Sequence, residues 1–103
     1  MRREGLACNI EGLVLYTLLG DERCLPCARI LRFLETLGLL SKVEARDARE
    51  HKEELKWLTG GRTIVPVLLE PSSGKIMTGC PVDLSEFAIE LERVFCSPRG
   101  RNI

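Results

Sequence analysis

The chain has 103 residues, 45% of them hydrophobic and 29% charged, the size and composition of one globular domain with a single core. Lys plus Arg and Asp plus Glu each count 15, a balance that argues against nucleic acid as a partner, because phosphate binding needs a clustered basic surface. No apolar run reaches the roughly 18 residues of a membrane-crossing helix. Met1-Arg2-Arg3-Glu4 leads into a stretch broken by Asn9, Glu11 and Gly12, so neither a membrane partner nor a secretory signal is expected.

Residues 1–11 are polar and irregular and predict a loose N-terminal arm. Leu13-Val14-Leu15-Tyr16-Thr17-Leu18-Leu19 is a short apolar run whose length and Val, Tyr and Thr content favour a buried central strand. Gly20-Asp21-Glu22-Arg23 breaks it. Cys27, Ile30, Leu31, Leu34 and Leu37 then repeat at helical spacing, and Gly38 suits the helix end. Lys42 to Arg46 alternates and predicts a second strand. Asp47 suits the cap of a charged amphipathic helix from Ala48 to Leu58, with Ala48, His51, Leu55 and Leu58 on one side and Gly60-Gly61 as its stop. Trp57, near that helix end, is expected to pack in the core.

Thr63 to Leu69 predicts a third strand, interrupted by Pro66, and Pro71-Ser72-Ser73-Gly74 turns it into a fourth, Lys75 to Thr78. Asp83 with Glu86 three residues later has the pattern of a capping box. It opens an amphipathic helix through Leu84, Phe87, Ala88, Leu91, Val94 and Phe95. Residues 97–103 predict a frayed tail. The order β-α-β-α-β-β-α implies a right-handed parallel crossover followed by an antiparallel hairpin. The expected product is one α/β domain over residues 1–103, its core from about 13 to 96, with a mixed four-stranded sheet and helices on both faces.

Five cysteines, Cys8, Cys24, Cys27, Cys80 and Cys96, are an odd set in a chain whose apolar segments can build a core without bridges. A cytoplasmic location is expected, where thiols are catalytic, metal-binding or simply buried. The chain has no Gln and two Asn, and Arg outnumbers Lys 11 to 4, a depletion of thermolabile amides that leans towards a thermophile and makes an intracellular structural disulfide less surprising. Cys8 and Cys96 lie near opposite ends and can be bridged only if their Cα atoms come within about 7 Å.

Cys24-Leu25-Pro26-Cys27 lies where the first strand hands over to the first helix. The first turn of a helix leaves N–H groups unpaired at the positive end of the macrodipole, which favours a thiolate at Cys24. Cys27 follows one turn later on the same side, placed to attack a mixed disulfide on Cys24. Pro26 fits an early helical position, where its missing N–H costs nothing. Arg23 adds positive charge beside the nucleophile, while Asp21 and Glu22 act in the opposite sense. The other reading of C-x-x-C is half of a zinc site, which needs two further ligands; Cys8, Cys80, Cys96 and His51 are scattered without a second paired motif, and no metal is expected.

From Leu13 to Phe95 the chain resembles the glutaredoxins, within the thioredoxin-like fold. Leu15-Tyr16-Thr17 leading to Cys24-Leu25-Pro26-Cys27 is similar to the family's strand and active-site loop. Thr59-Gly60-Gly61-Arg62-Thr63-Ile64-Val65-Pro66-Val67 looks like its S-G-R-x-T-V-P segment, and Met77-Thr78-Gly79-Cys80-Pro81-Val82-Asp83-Leu84 its G-G-C-D-D-L segment. The resemblance implies a thiol–disulfide oxidoreductase in which Cys24 attacks and Cys27 resolves. It implies that Pro66 is a cis-proline facing the cysteines, exposing the Val65 backbone to an extended substrate chain, and that Gly79 and Cys80 border the same groove and help hold the γ-glutamyl end of glutathione. The residue-level alternative for Pro66 is an edge-strand proline. Arg62 suits a substrate carboxylate or is a solvated loop arginine.

The chain departs from the family where Leu25 follows the first cysteine and Pro26 precedes the second, an order similar to thioredoxin's C-G-P-C, and where Pro81-Val82 replaces an acidic pair. Substrate contacts are thus expected from Arg23, Leu25, Pro26, Arg62, Val65, Pro66, Gly79 and Cys80. The partners implied are disulfide-bearing proteins and, as reductant, glutathione or a thioredoxin-reductase-type flavoenzyme. No tightly bound cofactor is expected, and a monomer is. A glutathione, metal or iron–sulfur carrier using Cys24 is the alternative, as is a scaffold with idle thiols. Cys80 reads as a small residue at a tight turn or as a third thiol near the site. His51 reads as a packed or half-exposed histidine.

Overall fold

The computed structural model of the chain describes residues 8–62 and 64–96. The apolar run near the N-terminus forms strand β1, Leu13–Thr17, and all five of its residues are buried. It is buried because it is central: β2 (Val43–Asp47) pairs with it in parallel on one side and β3 (Val67–Glu70) antiparallel on the other. β4 (Lys75–Thr78) completes a mixed four-stranded sheet in the order β2-β1-β3-β4. A parallel pair needs a crossover, and α1 (Leu25–Thr36) supplies it, whereas β3 and β4 are joined by the tight turn at residues 71–74. Among the described residues two further α-helices follow the sheet logic, α2 (Lys52–Leu58) and α3 (Leu84–Phe95).

Alternation along the strands divides the core in two. Leu13, Leu15, Leu68 and Met77 pack against Ile30 and Leu34 of α1 and Phe87, Leu91 and Phe95 of α3. Val14, Tyr16 and Val67 face the other way, onto Ala48, just before α2, and Leu55 of α2. The expected α/β architecture with helices on both faces is therefore observed. On the α2 side a polar network fastens the helix to the sheet. The Tyr16 hydroxyl donates to Glu54 Oε2 at 2.5 Å, Arg46 Nη1 reaches that same carboxylate oxygen at 3.1 Å and the hydroxyl at 3.2 Å, and His51 Nδ1 lies 3.1 Å from Glu54 Oε1. Burial, reinforced by the Glu54 carboxylate, pushes the Tyr16 phenol up to about 12. His51 is half-buried, its ring edge-on to Tyr16, as expected.

Several boundaries differ from the sequence expectations. β1 stops at Thr17, leaving Leu18 and Leu19 outside the strand. β2 runs one residue later than expected. The expected helix from Ala48 is split. Asp47 accepts a hydrogen bond from Arg49 N at 3.0 Å and caps a single 3-10 turn, Ala48–Glu50, and α2 begins afresh at Lys52. β3 begins only at Val67, because Pro66 before it has no N–H for the ladder; Thr63 lies outside the described residues. The capping box does not form. Asp83 occupies the N-cap of α3 and its carbonyl accepts from Phe87 N at 3.0 Å, but its exposed carboxylate bonds no helix amide.

Trp57 is not in the core: it is 84% exposed. The buried side of α2 is set by Leu55, and a residue two further on points about 200° around the helix axis. The N-terminal arm is not loose where it is described. Ile10 is 5% exposed within the α1–α3 side of the core, and Cys8 is disulfide-bonded to Cys96, the C-cap of α3, with Cα atoms 5.6 Å apart. Residues 1–7 of the expected arm and the expected tail at 97–103 lie outside the described residues.

Candidate active site

β1 delivers the chain to the C-x-x-C segment through two stacked turns: Asp21 N donates to Leu18 O, and Cys24 N to Asp21 O, each at 3.3 Å. Gly20 takes φ +75° here, a conformation that L side chains adopt poorly. Arg23, expected to supply charge to the nucleophile, is turned back onto Asp21 through its backbone N at 3.0 Å and its Nε at 3.2 Å. This pairing holds the Asp21 carboxyl below the usual carboxylate range, and it leaves the Arg23 side chain 92% exposed.

Cys24 is the N-cap of α1, in extended conformation, with its carbonyl accepting from Ala28 N at 3.2 Å. No side chain caps the first turn, and that turn holds no acidic residue. The positive end of the helix, beginning at Cys24, thus carries no carboxylate in its first turn. Pro26 sits in the first turn, where its lack of an N–H removes no helical bond. Cys24 and Cys27 are joined as a disulfide with Cα atoms 5.2 Å apart. Their surroundings differ: Cys24 is half-exposed and Cys27 is 2% exposed. Leu25, between them, is 67% exposed beside Cys24. A hollow of about 210 Å³ opens at this corner, lined by Cys27 with Leu18, Asp21, Glu22, Ala28 and Leu31 among others.

The sheet brings the third strand to the same corner. Tyr16 pairs with Val67 in the antiparallel register, so Thr17 and Pro66, one residue beyond each, lie at one end of the sheet. Pro66 is cis and buried. Val65 before it is half-buried and forms no backbone hydrogen bond among the described residues. Gly79, at φ +76° after β4, donates its N–H to Pro66 O at 2.8 Å, which fixes the turn at residues 79–81 beside the proline. Cys80 is the free thiol among the described residues, half-buried. Burial pushes its thiol up, with Arg29 acting in the opposite sense.

The expected site residues divide accordingly. Cys24, Leu25, Pro26 and Cys27 stand together at the start of α1. Val65 and Pro66 share their end of the sheet, and Gly79 and Cys80 join them through the Pro66 bond. Arg23 is engaged by Asp21, and Arg62 is exposed, its carbonyl accepting from Thr59 Oγ1 at 2.5 Å.

A second groove, about 440 Å³, runs from Leu18 and Val65 to α2, and it carries Arg49, Lys52 and Lys56. Leu18 lines both hollows. Arg49 is tied to Asp47 at 3.0 Å and to Leu19 O at 2.7 Å, whereas Lys52 and Lys56 form no ion pair among the described residues. These lysines were not expected at the site. Their i, i+4 spacing places them on one side of a helix, but only the packing of α2 turns that side towards Val65. Leu18 and Arg29 were also missed. Thr17 is a further surprise, its hydroxyl fully buried at the end of β1 with no hydrogen-bond partner among the described residues. Among the described residues no group of three or more His, Cys, Asp or Glu side chains converges as a metal cage.

Comparison with known protein families, curated proteins and solved structures found no match to this chain.

Proposed function

We propose that the protein is a thiol–disulfide oxidoreductase of thioredoxin-like fold and glutaredoxin type. The observation that carries this reading is the asymmetry of the Cys24–Cys27 pair at the uncapped start of α1. Cys24 is the less buried residue of the pair, the one we assign to meet the substrate, and it is also the one the helix end favours as a thiolate. Cys27, 2% exposed and one turn further into α1, is bonded to Cys24 and is the partner we assign to resolve it.

In the reductive direction, the Cys24 thiolate attacks one sulfur of a substrate disulfide. A mixed disulfide forms and the first substrate thiolate leaves. Cys27, deprotonated, attacks Cys24 Sγ, which releases the second substrate thiolate and leaves the Cys24–Cys27 disulfide. Two electrons from glutathione or from a thioredoxin-reductase-type flavoenzyme restore the dithiol. The Val65 backbone, without a hydrogen bond among the described residues, suits an extended substrate chain laid alongside it, as a strand would pair. The cations of the α2 groove suit carboxylates such as those of glutathione.

Replacing Cys24→Ser is expected to abolish reduction of insulin or of a glutathione mixed disulfide, and Cys27→Ser to stall at a mixed disulfide isolable on a non-reducing gel. Sustained turnover by the Cys24→Ser protein would sink the assignment. So would a coloured, iron-stoichiometric protein on anaerobic purification, which belongs to the carrier alternative. The same assay, run with glutathione and then with a flavoenzyme reductase, identifies the electron donor.

A further inference from the structure

Arg29 lies two residues beyond Cys27 on α1 and is half-buried. Its Nη2 donates to the carbonyl oxygen of Cys80 at 2.8 Å and its Nε to that of Pro81 at 3.0 Å. It forms no ion pair with a carboxylate among the described residues, so its charge is committed to two successive carbonyls some fifty residues away in the chain. The turn it grips is the one whose Gly79 N–H holds Pro66 O at 2.8 Å. A continuous path therefore runs from the helix bearing the cysteines, through one guanidinium, to the cis-proline segment.

We infer that Arg29 is a positioning residue. It sets the gap between the Cys24–Cys27 pair and the Val65–Pro66 segment, and so governs how well an extended disulfide substrate fits between them. This role rests on the dithiol reading above. The planar fork suits it, because two N–H groups in fixed geometry hold two carbonyls at once and leave the turn a single position. An ammonium at the same place is a point donor and satisfies fewer of these bonds, and a thioether or alkyl chain satisfies none. The substrates affected are those that lie along Val65. A small disulfide meets only the sulfur of Cys24 and does not sense the gap.

The test compares Arg29→Met and Arg29→Lys with the unaltered protein on insulin and on 2-hydroxyethyl disulfide. For insulin, Arg29→Met is expected to raise KM about tenfold with kcat nearly unchanged, since two charge-assisted hydrogen bonds are lost. Arg29→Lys is expected to fall between, and 2-hydroxyethyl disulfide to be turned over alike by all three. Amide exchange at Gly79 is expected to speed up in Arg29→Met while that of Leu68, in the middle of β3, stays as it was. An unchanged insulin KM, unchanged Gly79 exchange, or an equal fall on both disulfides overturns the role. If Arg29→Met does not fold, Arg29→Lys decides: rescue of folding with raised KM and faster Gly79 exchange supports the role, and values equal to the unaltered protein overturn it. An unaltered protein that reduces neither disulfide removes the dithiol reading and this role with it, whereas turnover with an unmoved KM removes only the role of Arg29.

Discussion

The Cys8–Cys96 bridge joins residues 88 apart, so it closes nearly the whole described chain into one loop. Its effect on stability acts mainly through the unfolded state, whose freedom it removes. The chain-entropy relation for a loop of that size gives about 4.6 kcal/mol, against about 2 kcal/mol for the short Cys24–Cys27 loop. The folded state stays packed without the bridge, because Ile10 remains docked among α1 and α3 by its own burial. A Cys8→Ser, Cys96→Ser double variant, unfolded in urea without reductant so that Cys24–Cys27 stays closed, is therefore expected to lose between about 2 and 4.6 kcal/mol. At roughly 4–8 °C per kcal/mol for a domain of this size, its melting temperature falls by at least about 8 °C. The m-value is expected to rise, since an uncrosslinked chain exposes more surface on unfolding. A loss under about 1 kcal/mol with an unchanged m-value refutes the reasoning, because the bridge would then place little constraint on the unfolded chain.

The Thr17 hydroxyl, buried without a partner among the described residues, is expected to cost stability, so the near-isosteric Thr17→Val should gain about 1 kcal/mol in urea unfolding; destabilisation would mean that the hydroxyl is hydrogen-bonded. Glu54 is held below the ordinary carboxylate value of 4.5, chiefly by the Tyr16 hydroxyl. Its folded pKa is thus lower than its unfolded one, and its contribution is present above that value and lost as pH falls through the lowered folded pKa. Urea midpoints should therefore separate the unaltered protein from Glu54→Gln near neutral pH and converge in strong acid. An equal gap at both ends of the pH range would contradict the network.

What was legible in the sequence is what short stretches of chain decide. The apolar run at Leu13, the helical spacing from Cys27 to Leu37 and the turn at residues 71–74 each carry their signal within a few residues, because burial periodicity and turn stereochemistry are local. The same holds for the C-x-x-C half of the candidate site. Cys24, Pro26 and Cys27 fall within four residues at a strand-to-helix junction, whereas the cis bond at Pro66 was implied only by the family resemblance, its residues alone fitting an edge-strand proline as well. Local signals misled where the environment overrode them. The Asp83 and Glu86 pattern is open to water, which competes for a cap, and Trp57 falls on the side of α2 that the sheet does not cover.

The rest depends on elements far apart in the chain. Whether Cys8 meets Cys96 is decided by where α3 ends over the core. That Arg29 spans to Cys80 and Pro81, and that Lys52 and Lys56 share a groove with Val65, follows from the strand order β2-β1-β3-β4 and from which sheet face each helix covers. The order of the strands and main helices and the C-x-x-C pair could be read from the chain alone. Only tertiary structure decided what surrounds that dithiol, because those contacts exist only after the sheet has closed and each helix has committed its apolar side.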